Sequence, residues 1–263
     1  MDSKKTIHRL STVDNAMSLL SLFLKYESIG LMDVEREMGI SKTAAFRLAV
    51  TMADRGFLVK DAKTKQYYPG PILFQLVRKF QVNDIITVSN PFIQELAELT
   101  NESVYLSIRS GNKYIFLTGI DSTFPLKVTV TFGDEIDLYL GAAGKLHMAF
   151  MSSADIDTYF KRTESEYTAS NKLAGLNELQ AQLTQIREDG YSISPGAAYA
   201  DSAGFAAPIW GLGEEPAASL CLLIPMARLT PEKQSDFVKQ VMDYADKISA
   251  EFRRKQETIN MSN

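Results

Sequence analysis

Ser41-Lys42-Thr43-Ala44-Ala45-Phe46-Arg47-Leu48-Ala49-Val50-Thr51-Met52-Ala53-Asp54-Arg55-Gly56 is the stretch that decides how the front of this chain folds. Serine is a preferred residue ahead of a helix because its hydroxyl takes up a free amide of the first turn, and glycine is the preferred residue just past a helix end. Between the two, Ala45, Leu48, Ala49 and Met52 recur at three- and four-residue spacing and form one apolar face. The first turns then present Lys42, Thr43, Phe46 and Arg47 on the outer face. Upstream, Gly39-Ile40 makes a tight turn after a short helix over 32–38 with Val34 and Met38 inward. Before that, Ser11 or Thr12 caps a helix reaching Tyr26, with Val13, Ala16, Met17, Leu20, Phe23 and Leu24 inward. Downstream, strands over 57–60 and 66–68 flank the polar turn 61–65 and read as a β-wing.

Helix, turn, helix and wing is an arrangement that can lay its third helix in the major groove of DNA. In that reading the Ser41 turn, Lys42 and Arg47 reach phosphates, Thr43 meets a base edge, and Phe46 lies against a thymine methyl or packs on the wing or a neighbouring helix. Lys60, Lys63 and Lys65 of the wing sit over the sugar-phosphate backbone. Each cation taken singly can equally be a solvated surface charge; their joint placement with the caps and the hairpin favours double-stranded DNA as partner. The net charge of −4 conceals this bias. Residues 1–70 hold eleven Lys and Arg against eight Asp and Glu, whereas the rest holds 17 against 24. A basic patch on an acidic chain suits a polyanion locally.

The 263 residues are 45% hydrophobic and 23% charged, enough for one large or two modest folded domains and unlike a disordered chain. No uninterrupted apolar run approaches the ~18 residues of a membrane helix, and the first residues lead into no apolar secretion core. A soluble cytoplasmic protein is expected. Cys221 alone cannot form an internal disulfide, and with only His8 and His147 there is no ligand cluster for a metal. No cofactor is expected either.

Beyond Tyr68-Pro69-Gly70-Pro71, an amphipathic linker helix over 72–80 is followed by a short helix ending near Asn90 and a longer one opened by Pro91. Strands are predicted over 104–109 and 113–120, paired around Ser110-Gly111-Asn112, with another alternating strand over 126–132. Helices follow over 143–150 and 176–189, then a wholly apolar strand over 219–224 and a C-terminal helix over 231–254. The fold class is α+β.

Several stretches then converge on one family. Leu10-Ser11-Thr12-Val13-Asp14-Asn15-Ala16, Met38-Gly39-Ile40-Ser41-Lys42-Thr43, Phe46-Arg47-Leu48 and Asp54-Arg55-Gly56-Phe57-Leu58 resemble the winged helix-turn-helix of the IclR family of bacterial transcriptional regulators. Asp137-Leu138-Tyr139-Leu140-Gly141-Ala142-Ala143-Gly144-Lys145 is similar to that family's PLHATAAGKA segment. Arg187-Glu188-Asp189-Gly190-Tyr191 with Ala206-Ala207-Pro208-Ile209 is similar to its R..GY…AAPV segment. The resemblance spans roughly residues 9–252 and implies an N-terminal winged helix-turn-helix followed by a GAF-like effector-binding domain, assembled as a homodimer or a dimer of dimers on a palindromic operator. The domain limits expected are 1–70 for DNA binding, 71–90 for linker helices, and 91–263 for effector binding and oligomerisation.

On its own, the small-residue turn Leu140-Gly141-Ala142-Ala143-Gly144 admits two readings: close helix packing, or an anion site at free helix amides. The resemblance implies the second, with a small organic acid held among Val128, Ile136, Ala142, Ala143, Ser194, Ser202 and Gly204. One departure stands out, since the family commonly places acidic residues after the Gly-Tyr turn. Here Tyr191-Ser192-Ile193-Ser194-Pro195-Gly196-Ala197-Ala198 carries no carboxylate until Asp201. Catalysis is disfavoured. Cys221 reads as an inert core thiol, His147 as a packed or partly exposed histidine without a carboxylate partner, and Asp155/Asp157 and Glu164/Glu166 as solvated acids. The alternatives left open are a sensor domain used for protein interaction or as a small-molecule enzyme.

Overall fold

The computed structural model describes residues 10–79, 82–168, 173–196 and 201–261. They fall into two compact units, one ending at Asn83 and the other beginning at Asp84.

The first unit holds helices α1 (Ser11–Leu22), α2 (Leu31–Met38) and α3 (Lys42–Asp54), the strands β1 (Leu58–Lys60) and β2 (Tyr67–Pro69), and helix α4 (Pro71–Lys79). Local chemistry sets most of these limits. The Ser41 hydroxyl accepts the amide of Ala44 at 3.3 Å, Gly39 closes α2 at φ +63°, and Gly56 follows α3 at φ +75°. α2 opens differently, because the Asp33 carboxylate reaches back to the amide of Gly30 at 3.3 Å. Ile29 and Tyr67 exchange backbone hydrogen bonds, which fastens the turn before α2 to the wing. The core of this unit is Leu19, Ile29, Val34, Ala45, Ala49, Met52, Leu58 and Tyr67.

α1 departs from the sequence reading in extent and in phase. It ends at Leu22 rather than Tyr26, and its cap residue is Leu10 with no side-chain hydrogen bond. Leu19 is its fully buried residue, while Val13, Met17 and Leu24 stand 53%, 55% and 83% exposed. Two apolar arcs on this helix both satisfy the 3.6-residue period, and the small core is reached only by the arc through Ala16, Leu19, Leu20 and Phe23.

The second unit wraps helices around a six-stranded antiparallel sheet of order β5-β4-β3-β8-β7-β6. Its strands are β3 (Ser103–Ser110), β4 (Lys113–Ile120), β5 (Ile136–Asp137), β6 (Ser192–Pro195), β7 (Ser202–Trp210) and β8 (Pro216–Pro225). One face packs on α5 (Val82–Thr100) and α9 (Pro231–Met261), with Leu220, Leu222 and Ile224 of β8 turned that way. The other face carries Cys221 and Leu223 toward α6 (Gly141–Ala149), α7 (Ser153–Thr168) and α8 (Leu173–Asp189). Because both faces are covered, β8 shows no polar alternation in sequence.

Two further expectations are corrected. No helix break occurs at Pro91, which lies inside α5. Ile85, Val88, Ser89, Ile93, Leu96 and Ala97 keep one helical phase across it, and burial of that face outweighs the one backbone bond a proline removes. Residues 126–132 form no strand. Leu126 and Phe132 stand 59% and 50% exposed there, and the edge position beside β4 is taken by β5. The segment is tied instead through the Val128 carbonyl, which accepts the Tyr105 hydroxyl at 3.1 Å, and through the Gly133 amide on the Phe116 carbonyl. The helix α7, and the strands β6 and β7 around the Ala206–Ile209 motif, were not legible as elements. Phe80, Ala197 and Ala198, which the sequence reading named, lie outside the described residues.

Candidate nucleic-acid interface and ligand pocket

In the first unit, α3 turns Ala45, Ala49 and Met52 inward, which leaves Lys42, Thr43, Phe46 and Arg47 exposed on its first two turns. Phe46 is 48% exposed, so the outward reading holds for its side chain. The hydroxyl of Ser41 is occupied as the helix cap, which assigns it to holding the amino terminus of α3 in place. Thr51 donates to the Arg47 carbonyl at 2.8 Å and closes the helix on its outer side.

The wing tip is built on Asp61. Its carboxylate accepts the amides of Lys63 and Thr64 at 2.8 and 2.6 Å and the Thr64 hydroxyl at 2.9 Å, and these donors hold its carboxyl below the usual carboxylate range. The fold of the tip distinguishes the three wing lysines. Lys65 sits at φ +61° and its ammonium donates to the Ala62 carbonyl at 2.7 Å, while the Lys60 ammonium lies 5.4 Å from the centre of the Tyr67 ring. Lys63 carries its ammonium at the exposed tip with no ion pair among the described residues. Lys42 and Arg47 likewise make none.

In the second unit, α6 begins against the sheet at a bend where Gly141 adopts φ +70°. No side chain caps this helix, no acidic residue lies in its first turn, and Ala142, Ala143 and Gly144 are buried there. A small cavity, with room for about one water-sized group, faces that amino terminus. Cross-strand register assembles its wall, since Ser194 of β6 pairs with Gly204 of β7 and Gly204 with Leu223 of β8. A side chain on Gly204 would meet Leu223 at 3.1 Å and the Ala142 methyl at 3.4 Å, so glycine keeps this space open. Ser194 is 4% exposed and its hydroxyl has no hydrogen-bond partner among the described residues.

Of the residues assigned to this site from sequence, Ala142, Ala143, Ser194, Ser202 and Gly204 line the cavity together. Val128 and Ile136 belong to the same apolar layer but not to the cavity wall. The wall also contains Tyr114, Phe116, Gly141, Cys221 and Leu223, which sequence reasoning missed. Period-two alternation would have put 114 with 116 and 221 with 223; it does not say which strands are neighbours.

The opposite end of α6 explains the arginine of the Arg187–Tyr191 segment. Arg187 donates to the carbonyls of Ala149 and Met151 at 2.7 and 3.1 Å, satisfying groups at the end of the helix. Cys221 and His147 belong to a sealed polar cluster under the sheet. The Ser107 hydroxyl is 3.1 Å from His147 Nε2 and 2.7 Å from the Ser219 hydroxyl, which lies 3.4 Å from Cys221 Sγ. Burial, with the charge of Arg109, pushes the imidazole down to about 4, and burial pushes the Cys221 thiol up to about 11. A neutral histidine and a protonated thiol are packing partners here.

Two family profiles match this chain. The profile described as bacterial transcriptional regulator IclR C-terminal covers residues 77–250, and that described as the IclR helix-turn-helix domain covers residues 12–62. The chain belongs to the IclR family. Within it, the HTH-type transcriptional regulator KipR of Bacillus subtilis is 27% identical over 239 residues, which cover 90% of this chain and 95% of KipR. The HTH-type transcriptional regulator KdgR of Escherichia coli is 24% identical, covering 95% of each chain. Among solved structures, the IclR of Thermotoga maritima superposes with a TM-score of 0.70 at 21% identity over 93% of this chain and 100% of that one. An IclR homologue of Microbacterium hydrocarbonoxydans, complexed with 4-hydroxybenzoate, gives 0.76 at 16% identity over 92% and 99%. This IclR-family chain is therefore a transcriptional regulator with a DNA-binding helix-turn-helix and a C-terminal effector domain, not an enzyme. Among the described residues no helix is long and apolar enough to cross a membrane, and no His, Cys, Asp and Glu cluster is placed to hold a metal ion.

Proposed function

We propose that this regulator acts in the cytoplasm and binds a near-palindromic operator as a homodimer or dimer of dimers under the control of a small anionic metabolite. Residues 1–70 read the DNA, 71–90 act as linker helices, and 91–263 form a GAF-like domain for effector binding and oligomerisation. The observation that carries the DNA reading is the exposed outer face of α3, with Lys42, Thr43, Phe46 and Arg47 free of the core and Ser41 capping the helix. Lys60, Lys63 and Lys65 add wing contacts to phosphate, with Lys63 the least encumbered. The effector site is the cavity at the amino terminus of α6, where helix amides favour an anion. The aromatic acid carried by the Microbacterium homologue is consistent with an acid ligand here. Control is by linkage, in which ligand and operator favour different arrangements of the assembly with a coupling of ~1–3 kcal/mol.

Footprinting of the purified protein on DNA flanking its own gene, at two salt concentrations, tests the proposal. The expected result is a discrete, near-symmetric footprint that weakens as salt rises, with half-sites about 34–36 Å apart or a multiple of that. Diffuse protection without symmetry would overturn it.

A further inference from the structure

The lysines of this fold differ in what holds them. Of those whose side chains are described, Lys113, Lys145 and Lys255 are drawn partly into the structure, and the others are exposed. Lys113 pairs with Asp137 and Lys255 with Asp84, at 2.5 and 2.7 Å. Lys145 is drawn in without an ion pair among the described residues. Its side chain lines an open cleft of about 440 Å³ together with Gln182, Gln185 and Asp189 of α8, Tyr191, and Ser194 of β6. Asp189 shares the cleft without pairing with Lys145, and its Oδ1 accepts the Gln185 amide at 2.9 Å. The Ser194 hydroxyl, 4% exposed, has no partner among the described residues. Burial pushes the Lys145 ammonium below the ordinary lysine range, against an opposing pull from Glu178 of α8. The free amine, which is the nucleophilic form, is thereby favoured at a place that solvent-borne molecules reach.

We infer that Lys145 is a modification site, acylated at Nζ by a small acyl phosphate that enters this cleft. Acetyl phosphate, of about eight non-hydrogen atoms, fits a space of about 440 Å³ at roughly 30 Å³ for each water-sized group. The amine lone pair attacks the acyl carbon and forms the C–N bond. The C–O bond to phosphate breaks, and phosphate leaves with the electron pair. The proton on nitrogen passes to solvent, with the Asp189 carboxylate in the same cleft as an acceptor on the way. The Ser194 hydroxyl is a free donor for the departing phosphate. The product is a neutral amide, so Asp189 loses the cation that shares its cleft, on a wall that the α6 cavity also uses at Ser194.

Timed exposure of the full chain to acetyl phosphate, followed by mass spectrometry of its peptides, tests this. Lys63, Lys161 and Lys239 are exposed and serve as references within the same molecule. At pH 7 Lys145 is expected to gain acetyl at least about threefold faster than any of the three. That advantage should shrink toward pH 10, where ordinary lysines become free amines as well. Glu178→Gln removes the charge that favours the ammonium, and it should speed acetylation of Lys145 at pH 7 while leaving the references unchanged. Acetylation of Lys145 no faster than that of the references at pH 7 would overturn the site. An advantage that does not fall as pH rises, or a rate indifferent to Glu178→Gln, would overturn the free amine as its basis. Circular dichroism at each pH and of the variant secures the fold.

Discussion

The amino termini of α3 and α6 solve the same problem in opposite ways. Each helix begins with backbone amides that its own carbonyls cannot satisfy. α3 closes its end with the Ser41 hydroxyl, stands exposed, and surrounds itself with Lys42 and Arg47. α6 has no side-chain cap, lies buried, and has no charged side chain in the cavity before it. The difference teaches what each end can recognise. A solvated, cation-bearing end suits a long polyanion whose charges stay partly in water, while a buried, neutral end suits one small anion.

The largest expected effect follows from filling the enclosed end. Ala143→Leu places a branched side chain in the cavity, and effector binding should fall below calorimetric detection while operator affinity in the absence of ligand stays at the wild-type value. Loss of both together would mean that the two helix ends are not separable. Arg47→Ala tests the exposed end. Operator affinity measured by fluorescence anisotropy should fall between about tenfold and about 150-fold, with the ligand isotherm unchanged.

How far each end was legible in sequence follows from how local its chemistry is. Ser41, Gly39 and Gly56 mark α3 and its turn within a few residues of where they act, so that interface could be read directly. The ligand pocket could be read only in part. Ala142 and Ala143 announce themselves as a small-residue turn, but Ser194, Gly204 and Leu223 become neighbours through strand register. Tyr114 and Phe116 enter from a strand far along the chain in the same way. The exposed arc of Val13 and Met17 failed for a different reason, because periodicity fixes a helix and its stripes without saying which stripe meets the core. Pro91 shows the complementary error, a strong local signal overridden by the packing of α5.

Acid should separate the two units. His147 titrates near 4 in the folded state against 6.5 when exposed, so the unfolded chain binds its proton first. Its contribution is therefore complete above pH 6.5 and is lost as pH falls toward 4, amounting to roughly 3 kcal/mol in all and about 2 kcal/mol by pH 5. Trp210, the one tryptophan of the chain, lies in β7 and reports unfolding of the second unit. Its urea midpoint should drop between pH 7 and pH 5, and His147→Gln should flatten that dependence. The described residues of the first unit contain no histidine, so its own unfolding should be nearly level over this range.

The smallest effect in energy discriminates most sharply at the exposed end. Ser41→Ala removes the cap and should cost the first unit about 1 kcal/mol, leaving the Trp210 transition where it was. Ser41→Asp keeps an acceptor for the Ala44 amide, and an acidic residue is favourable at a helix amino terminus, so this variant should be as stable as the wild type. The two substitutions then act differently on DNA. Alanine leaves the approach of phosphate unopposed and should lower operator affinity only slightly, whereas aspartate sets a negative charge where phosphate is expected and should lower it more, and more steeply at low salt than at high. Operator affinity unchanged in Ser41→Asp at low salt would mean that DNA does not approach this end of α3, and the contrast between an outward helix terminus for a polyanion and an inward one for a small acid would fall with it.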